Sequence, residues 1–367
     1  MSATRSLLAK HLLRAWQTRG LTAWALRPLA ALYGGLLWLQ RWRYQHGSQH
    51  STRLPVPVVV VGNVVVGGTG KTPTVAGLVR HLQTRGWRPG IVSRGYGASG
   101  ADGPAAVHAV SLQHPHPSDG DEPRLLARLT GVPVWVGRHR VAAAQALLQH
   151  HPEVNLIVSD DGMQHWRLAR DLTIVVFDER GTGNGWLLPA GLLREPWPAP
   201  AWGDSAMLVL CNVRHDTHTP PQLASPYPVF YAQRQLAEHA IAPNGTHHRL
   251  QDWTHTPNTH PPLAALAGIA QPEVFFDMLR ARGLQLAHTV ALPDHANGTD
   301  LHAALAPGFV WLCTEKDAVK LFPLLAGPTP TLAVWAVPLQ QNPDPAFLAA
   351  VDTCLEKLSS HHGCQTT

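Results

Sequence analysis

The sequence predicts an α/β protein: a mostly parallel sheet covered by helices, then a second, smaller α/β unit, with a basic helical segment in front. Three observations predict it. Short β-branched runs alternate with amphipathic helical patterns from residue 56 onward, an order that sets strands side by side with helices on both faces. A second alternating set begins near residue 226. The first 55 residues hold eight basic residues and no acidic one, among spaced leucines and tryptophans. The expected units are therefore 1–45, 46–225 and 226–367.

Composition narrows the class. The 367 residues suffice for one large domain or two ordinary ones. With 45% apolar and 14% charged residues, the chain is not of the disordered kind. Its four cysteines form no CxxC pair, and Cys211 and Cys313 sit in apolar runs as reduced core thiols. Beyond residue 55 the chain carries 21 basic against 24 acidic residues. The net charge of +5 thus belongs to the N-terminus and gives no nucleic-acid footprint.

In the N-terminal segment, Leu8, Leu12 and Leu13 recur at helical spacing, with Trp16 a turn further on. Lys10 and Arg14 fall on another face. The apolar run from Pro28 to Leu39 falls short of the about 20 residues a membrane span needs. Basic residues beside Trp16, Trp24, Trp38 and Trp42 predict a helix pair lying in a membrane interface. A hairpin packed on the protein's own core is the alternative.

Val56–Asn63 is a buried strand by its β-branched run, and 72–85 an amphipathic helix with Gly86 as its stop. Strands are expected at 90–93, 132–136, 155–159, 172–177 and 206–210, with helices at 122–129 and 141–148. Residues 194–204 read as a loop. The second set comprises strands at 263–267, 286–292, 310–314 and 331–337 and a helix at 273–282. A helix at 345–358 closes the chain.

Between the first strand and helix lies Val65-Val66-Gly67-Gly68-Thr69-Gly70-Lys71-Thr72, in the setting of a phosphate-binding loop. Gly67, Gly68 and Gly70 let backbone amides converge on phosphate oxygens. The helix start adds its positive dipole end. Lys71 would reach the β- and γ-phosphates, and Thr72 would ligate Mg²⁺. The match is to the GKT end of the pattern, because Val65 stands where a glycine is standard.

Asp160 and Asp161 end a buried strand, where a carboxylate holds Mg²⁺ directly or through water. Adjacent carboxylates repel, which favours a metal or a shared proton. Asp121 and Glu122 open a helix, and on spacing alone N-terminal capping is the favoured reading. Asp294-His295 follows a strand of the second unit and is weak evidence by itself. Glu315-Lys316-Asp317 misses a guanine-reading pattern by one residue. No Cys/His cluster has zinc spacing, so no zinc site is expected.

These stretches, with "SRGYG" (93–97), "GDEP" (120–123), "VGRHRVAAA" (136–144), "NGWLLPAGLLREP" (184–196), "GIAQPEVFF" (268–276), "LPDH" (292–295) and "TEKDAVK" (314–320), occur together in one order. As a set the sequence resembles the tetraacyldisaccharide 4′-kinases, the lipid A 4′-kinases of Gram-negative bacteria. The resemblance implies a P-loop α/β core and a second α/β domain. It implies transfer of the γ-phosphate of ATP to the 4′-hydroxyl of a tetraacylated glucosamine disaccharide 1-phosphate, giving lipid IVA in lipid A biosynthesis. It also implies attachment to the cytoplasmic face of the inner membrane. No obligate protein partner is expected. Carried over by residue, it makes Asp121 the catalytic base, paired with His295. Glu122, Asp160 and Asp161 form the Mg²⁺-side acidic set, with the division between the last two left open. Arg94, Arg138 and Arg140 are candidates for the substrate's 1-phosphate, since guanidinium groups suit phosphate. Leu192, His139 and Ala296 depart from the family's pattern.

Two rival readings are a deviant-Walker ATPase and a nucleotide-switched binding protein. Against the first, Val66 stands where the signature lysine would fall.

Overall fold

The structure is a computed structural model. It describes residues 15–46, 50–95, 107–114, 116, 118–214, 221–255, 261–294, 296–325 and 332–362. The spaced leucines of 8–13 and His295 lie outside the described residues.

Helices α1 (Leu21–Ala25) and α2 (Arg27–Gln45) come first. The core then runs β1 (Val58–Gly62), α3 (Lys71–Thr84), β2 (Pro89–Ser93), β3 (His108–Ala109), α4 (Asp121–Thr130), β4 (Val134–Val136), α5 (Arg140–His150), β5 (Leu156–Asp160), β6 (Leu172–Phe177), β7 (Ala206–Arg214) and β8 (Val229–Leu236). The second lobe holds β9 (His239–Ile241), β10 (His247–Arg249), α6 (Leu250–His255), β11 (Leu263–Ala267), α7 (Pro272–Ala281), β12 (Leu286–Ala291), α8 (Gly298–Ala303), β13 (Val310–Thr314), α9 (Glu315–Leu325) and β14 (Ala333–Val337). The chain ends with β15 (Leu339–Pro343) and α10 (Pro345–His362).

Nine strands form the first sheet in the order β15-β8-β7-β6-β1-β5-β2-β4-β3, parallel except at its two edges. β1, β5 and β6 are buried at every residue, which is why their sequences run apolar without alternation. One face is covered by Val75, Leu78 and Leu82 of α3, Leu126 of α4 and Phe347, Val351 and Leu355 of α10. Ala143, Ala144 and Leu147 of α5 cover the other. The second sheet has the order β10-β9-β14-β13-β11-β12, with β14, β13, β11 and β12 parallel.

One boundary differs from the sequence expectation. β8, β15 and α10, expected in the unit from 226 onward, join the first sheet and its core. Two antiparallel strands, β8 and β15, therefore carry the chain out to the second lobe and back. The register of β1 on β5 sets Val61 opposite Asp160, so the acidic strand end lies beside the root of the glycine-rich loop.

Candidate active site

The loop after β1 is rooted by backbone pairing. Val66 N donates to Leu192 O at 2.9 Å, and Arg194 N donates to Val64 O at 2.6 Å. Val64 and Val65 are fully buried against Phe177 and Leu192. This explains a valine where glycine is usual: position 65 belongs to the core, and the turn begins after it. Gly67 and Gly70 adopt φ of 95° and 83°, a region costly for any side chain. A Cβ on Gly70 would also lie 2.7 Å from Asn212 Nδ2. α3 starts directly after Gly70, so its first amides, Lys71 and Thr72 open onto a cleft of about 440 Å³. The second lobe supplies the facing wall, with Ile269, Val274, Phe275 and Met278.

Asp160 and Asp161 are adjacent but unlike. Asp160 is 2% exposed and accepts a hydrogen bond from Ser93 Oγ at 3.0 Å. Burial, with the charges of Glu122 and Asp161, pushes its carboxyl up to about 7. Asp161 has left-handed φ of 48°, turning its side chain toward the loop. Its Oδ1 lies 3.5 Å from Lys71 Nζ and 3.6 Å from an Arg194 nitrogen. Burial works against ionisation there, but Lys71, Arg194 and Arg140 outweigh it and hold the carboxyl below its ordinary range. That Oδ1 is buried and, beyond these two cations, has no hydrogen-bond partner. It is an acceptor suited to a cation.

Asp121 and Glu122 do not cap their helix. The N-cap is Gly120, without a side-chain cap. Asp121 Oδ2 instead lies 2.8 Å from Lys320 Nζ, and Glu122 Oε1 lies 3.7 Å from Lys316 Nζ. Both lysines belong to α9 of the second lobe. Glu122, Asp161, Lys71 and Thr72 line one cleft. Among the described residues, no group of three or more His, Cys, Asp or Glu is arranged to hold a metal ion by itself. A divalent cation there would need phosphate and the Thr72 hydroxyl to complete its shell.

The three candidate arginines separate. Arg140 is 2% exposed and donates to Gly137 O at 2.8 Å and Asp160 O at 3.3 Å. It is a strut beneath the acidic turn, and burial pulls its guanidinium down to about 10. Arg94 and Arg138 are exposed. Arg94 is close enough, with Arg140, to act on His165, whose ring burial and these cations hold down to about 4.

Two contributors escaped sequence reading. Arg194 joins Asp161 and also donates to Asn63 Oδ1 at 3.2 Å. Asn212, fully buried in β7, donates to Thr69 O at 2.7 Å. Its Oδ1 accepts from Gln341 Nε2 of β15, which also donates to Thr74 Oγ1 at 2.8 Å. A lone amide inside the apolar run of β7 is the signal that finds Asn212, since a buried amide must have partners.

The profile of the family described as Tetraacyldisaccharide-1-P 4'-kinase matches residues 22–356. A tetraacyldisaccharide 4'-kinase of Polaromonas naphthalenivorans (strain CJ2) is 48% identical over 362 residues, covering 97% of this chain and 99% of that one. Another, of Acidovorax sp. (strain JS42), is 48% identical over 355 residues, covering 97% of each. A crystal structure of LpxK from Aquifex aeolicus in complex with ATP shares the fold, with a TM-score of 0.72 and 24% identity over 92% of this chain and 99% of that chain. On the profile match and the near-half identity to relatives of the same length, this chain belongs to the tetraacyldisaccharide-1-P 4'-kinase family.

Proposed function

We propose that this chain transfers the γ-phosphate of ATP to the 4′-hydroxyl of a tetraacylated glucosamine disaccharide 1-phosphate, in lipid A biosynthesis. The observation that supports this most is the convergence of Lys71, Thr72, Asp161 and Glu122 on one cleft closed by the second lobe. The loop amides and Lys71 would hold the triphosphate and draw charge from the transferring group. Mg²⁺ would be held by Thr72, Asp161 and Glu122 together with phosphate oxygens and would neutralise phosphate charge, while Asp160, bonded to Ser93, would stand behind them. The apolar wall of Val274, Phe275 and Met278 suits the nucleoside or an acyl chain rather than charge.

A sugar hydroxyl is a weak nucleophile at neutral pH. Asp121 would accept its proton as the new P–O bond forms, and His295 would orient Asp121 and pass the proton on. Asp294, next to His295 in sequence, is joined to Lys316 on the cleft wall, which supports that pairing. Because Asp121 stands on the first lobe and His295 on the second, lobe closure would assemble the pair and limit wasteful ATP hydrolysis. Arg94 and Arg138 would meet the substrate's 1-phosphate.

The N-terminal helices would bring the cleft to the cytoplasmic face of the inner membrane. Leu29, Leu32, Leu36 and Leu39 recur along one exposed line of α2, with Leu21, Trp24 and Trp38 exposed nearby. The opposite face is fixed to the protein: Tyr33 Oη donates to Arg194 O at 2.8 Å and Arg41 to Pro200 O at 2.8 Å. Among the described residues, no helix is long and apolar enough to cross a membrane. An apolar line opposed by an anchored face suits a helix lying in the interface.

The test is a labelled-ATP assay with the acylated disaccharide 1-phosphate. Asp121→Ala and His295→Ala should each cut turnover at least about 100-fold, the range of acid–base catalysis, while leaving ATP affinity within about twofold. Wild-type turnover in either variant removes that residue's role.

A further inference from the structure

The segment Thr314–Lys320 carries more charge than the reaction described so far employs. Part of it builds the turn itself. Asp317 accepts from Thr314 Oγ1 at 2.7 Å and from Gly268 N at 3.1 Å, and is fully buried. Glu315 accepts from Leu339 N at 3.3 Å. Lys316 and Lys320 remain. They stand four apart on α9 and so share one face, which lies against α4 of the first lobe.

Their partners form a pattern. Lys320 Nζ lies 2.8 Å from Asp121 Oδ2 and donates to Ala296 O, also at 2.8 Å. Those two oxygens are therefore no further apart than twice that distance. Lys316 Nζ lies 3.1 Å from Asp294 Oδ1 and 3.7 Å from Glu122 Oε1. One helix face thus grips two consecutive acids at the start of α4 and the two residues that flank position 295. The Lys320 side chain is 8% exposed, so these contacts are made largely out of water, where an ammonium stays ionised only with acceptors around it. Lys316 is held charged in the same way: burial opposes it, and Glu122 and Asp294 hold it above the ordinary lysine range.

We propose that Lys320 is a positioning residue for phosphoryl transfer. It fixes the Asp121 carboxylate against the segment that carries His295, with Lys316 bracing the same junction one turn earlier. The inference rests on the reading of Asp121 as the base. A simple adhesive between lobes would look alike in a static structure, but it differs in kinetics. A positioning residue acts through Asp121, so its loss has no further effect once Asp121 no longer serves.

The experiment is steady-state kinetics on the full chain, with ATP and the tetraacylated disaccharide 1-phosphate, for Lys320→Met, Lys320→Arg, Asp121→Asn and the Asp121→Asn/Lys320→Met double variant. We expect Lys320→Met to lower kcat by about 100-fold, the scale of a misplaced catalytic group, with KM for ATP within about twofold. Lys320→Arg, which keeps charge and donors, should recover at least about tenfold of that loss. The double variant should be no slower than Asp121→Asn alone. A fully active Lys320→Met beside an inactive Asp121→Asn overturns this inference and leaves the base assignment standing. So does a double variant slowed by the full product of the two single losses. Wild-type turnover in Asp121→Asn overturns the base assignment, and this inference with it. Should Lys320→Met not fold, Lys320→Gln, an uncharged donor, carries the same comparison.

Discussion

Lys71 Nζ lies 3.5 Å from Asp161 Oδ1, so the lysine of the glycine-rich loop and the carboxylate that follows β5 form one electrostatic unit. An Arg194 nitrogen lies 3.6 Å from the same oxygen. On the proposed function, an arriving triphosphate would compete with Asp161 for Lys71, and a cation at Asp161 would relieve that competition. Lys71→Ala should therefore weaken ATP binding and turnover together, turnover by about 100-fold or more, as for loss of one transition-state donor. Calorimetric titration with a nonhydrolysable analogue, beside initial rates, checks this. Unchanged affinity would detach Lys71 from the phosphates.

Asp160 links stability to pH. Its carboxyl titrates at about 7 in the folded protein, against 3.8 for an ordinary aspartate. Below about pH 4 both folded and unfolded chains carry it protonated, and it favours neither. Between about pH 4 and pH 7 the unfolded chain has given up this proton while the folded chain still holds it, so stability falls across that window and levels off above it, by at most about 4 kcal/mol in all for a shift of this size. Asp160→Asn should melt above the wild type at pH 8, with the difference closing toward pH 4, while turnover drops. Thermal melts across that range decide it; a difference that ignores pH would show that burial of this charge is not the cause.

The brace from Asn212 to Thr69 O should appear as nucleotide affinity. Asn212→Ala removes a buried donor and leaves a loop carbonyl without it, costing about 1–3 kcal/mol. We expect KM for ATP to rise about tenfold or more. Gln341→Ala should have a smaller effect, because Asn212 still holds the loop. Equal KM in the Asn212 variant and the wild type would reduce the brace to packing.

Leu32 and Leu36 are 65% and 59% exposed, so charging them leaves the core untouched. The double variant Leu32→Glu/Leu36→Glu should keep stability within about 0.5 kcal/mol, as surface changes do, yet lose sedimentation with anionic vesicles. Sedimentation equal to the wild type would contradict the interfacial placement of α2.

What the sequence made legible was local. The phosphate loop and Asp161 are each marked by a few consecutive residues at the end of an apolar strand, and strand-end placement follows from the parallel sheet. The contacts that assemble the site are not local. Asn212 holds a carbonyl 143 residues away in sequence, and Lys320 reaches Asp121 from the other lobe. No spacing rule encodes such pairs. The returning strand β15, Leu-Gln-Gln-Asn-Pro, escaped notice because its half-buried face is made by Leu339, Gln341 and Pro343 and so shows no apolar alternation. The β9–β10 hairpin carried a signal, Asn244-Gly245, that its histidine-rich strands obscured. Asp121 and Glu122 read as helix caps because a helix start looks the same whether its acids face their own amides or a neighbouring lobe.

If the proposed function holds, the grip at 67–72 delivers a phosphoryl group to a lipid-borne alcohol. Label followed from γ-labelled ATP in the presence of the tetraacylated disaccharide 1-phosphate, for the wild type and Lys71→Ala, decides this. A labelled 1,4′-bisphosphorylated lipid is expected from the wild type, and at most about one hundredth of that rate from Lys71→Ala. Label released only as inorganic phosphate, or equal lipid labelling by both proteins, would contradict it.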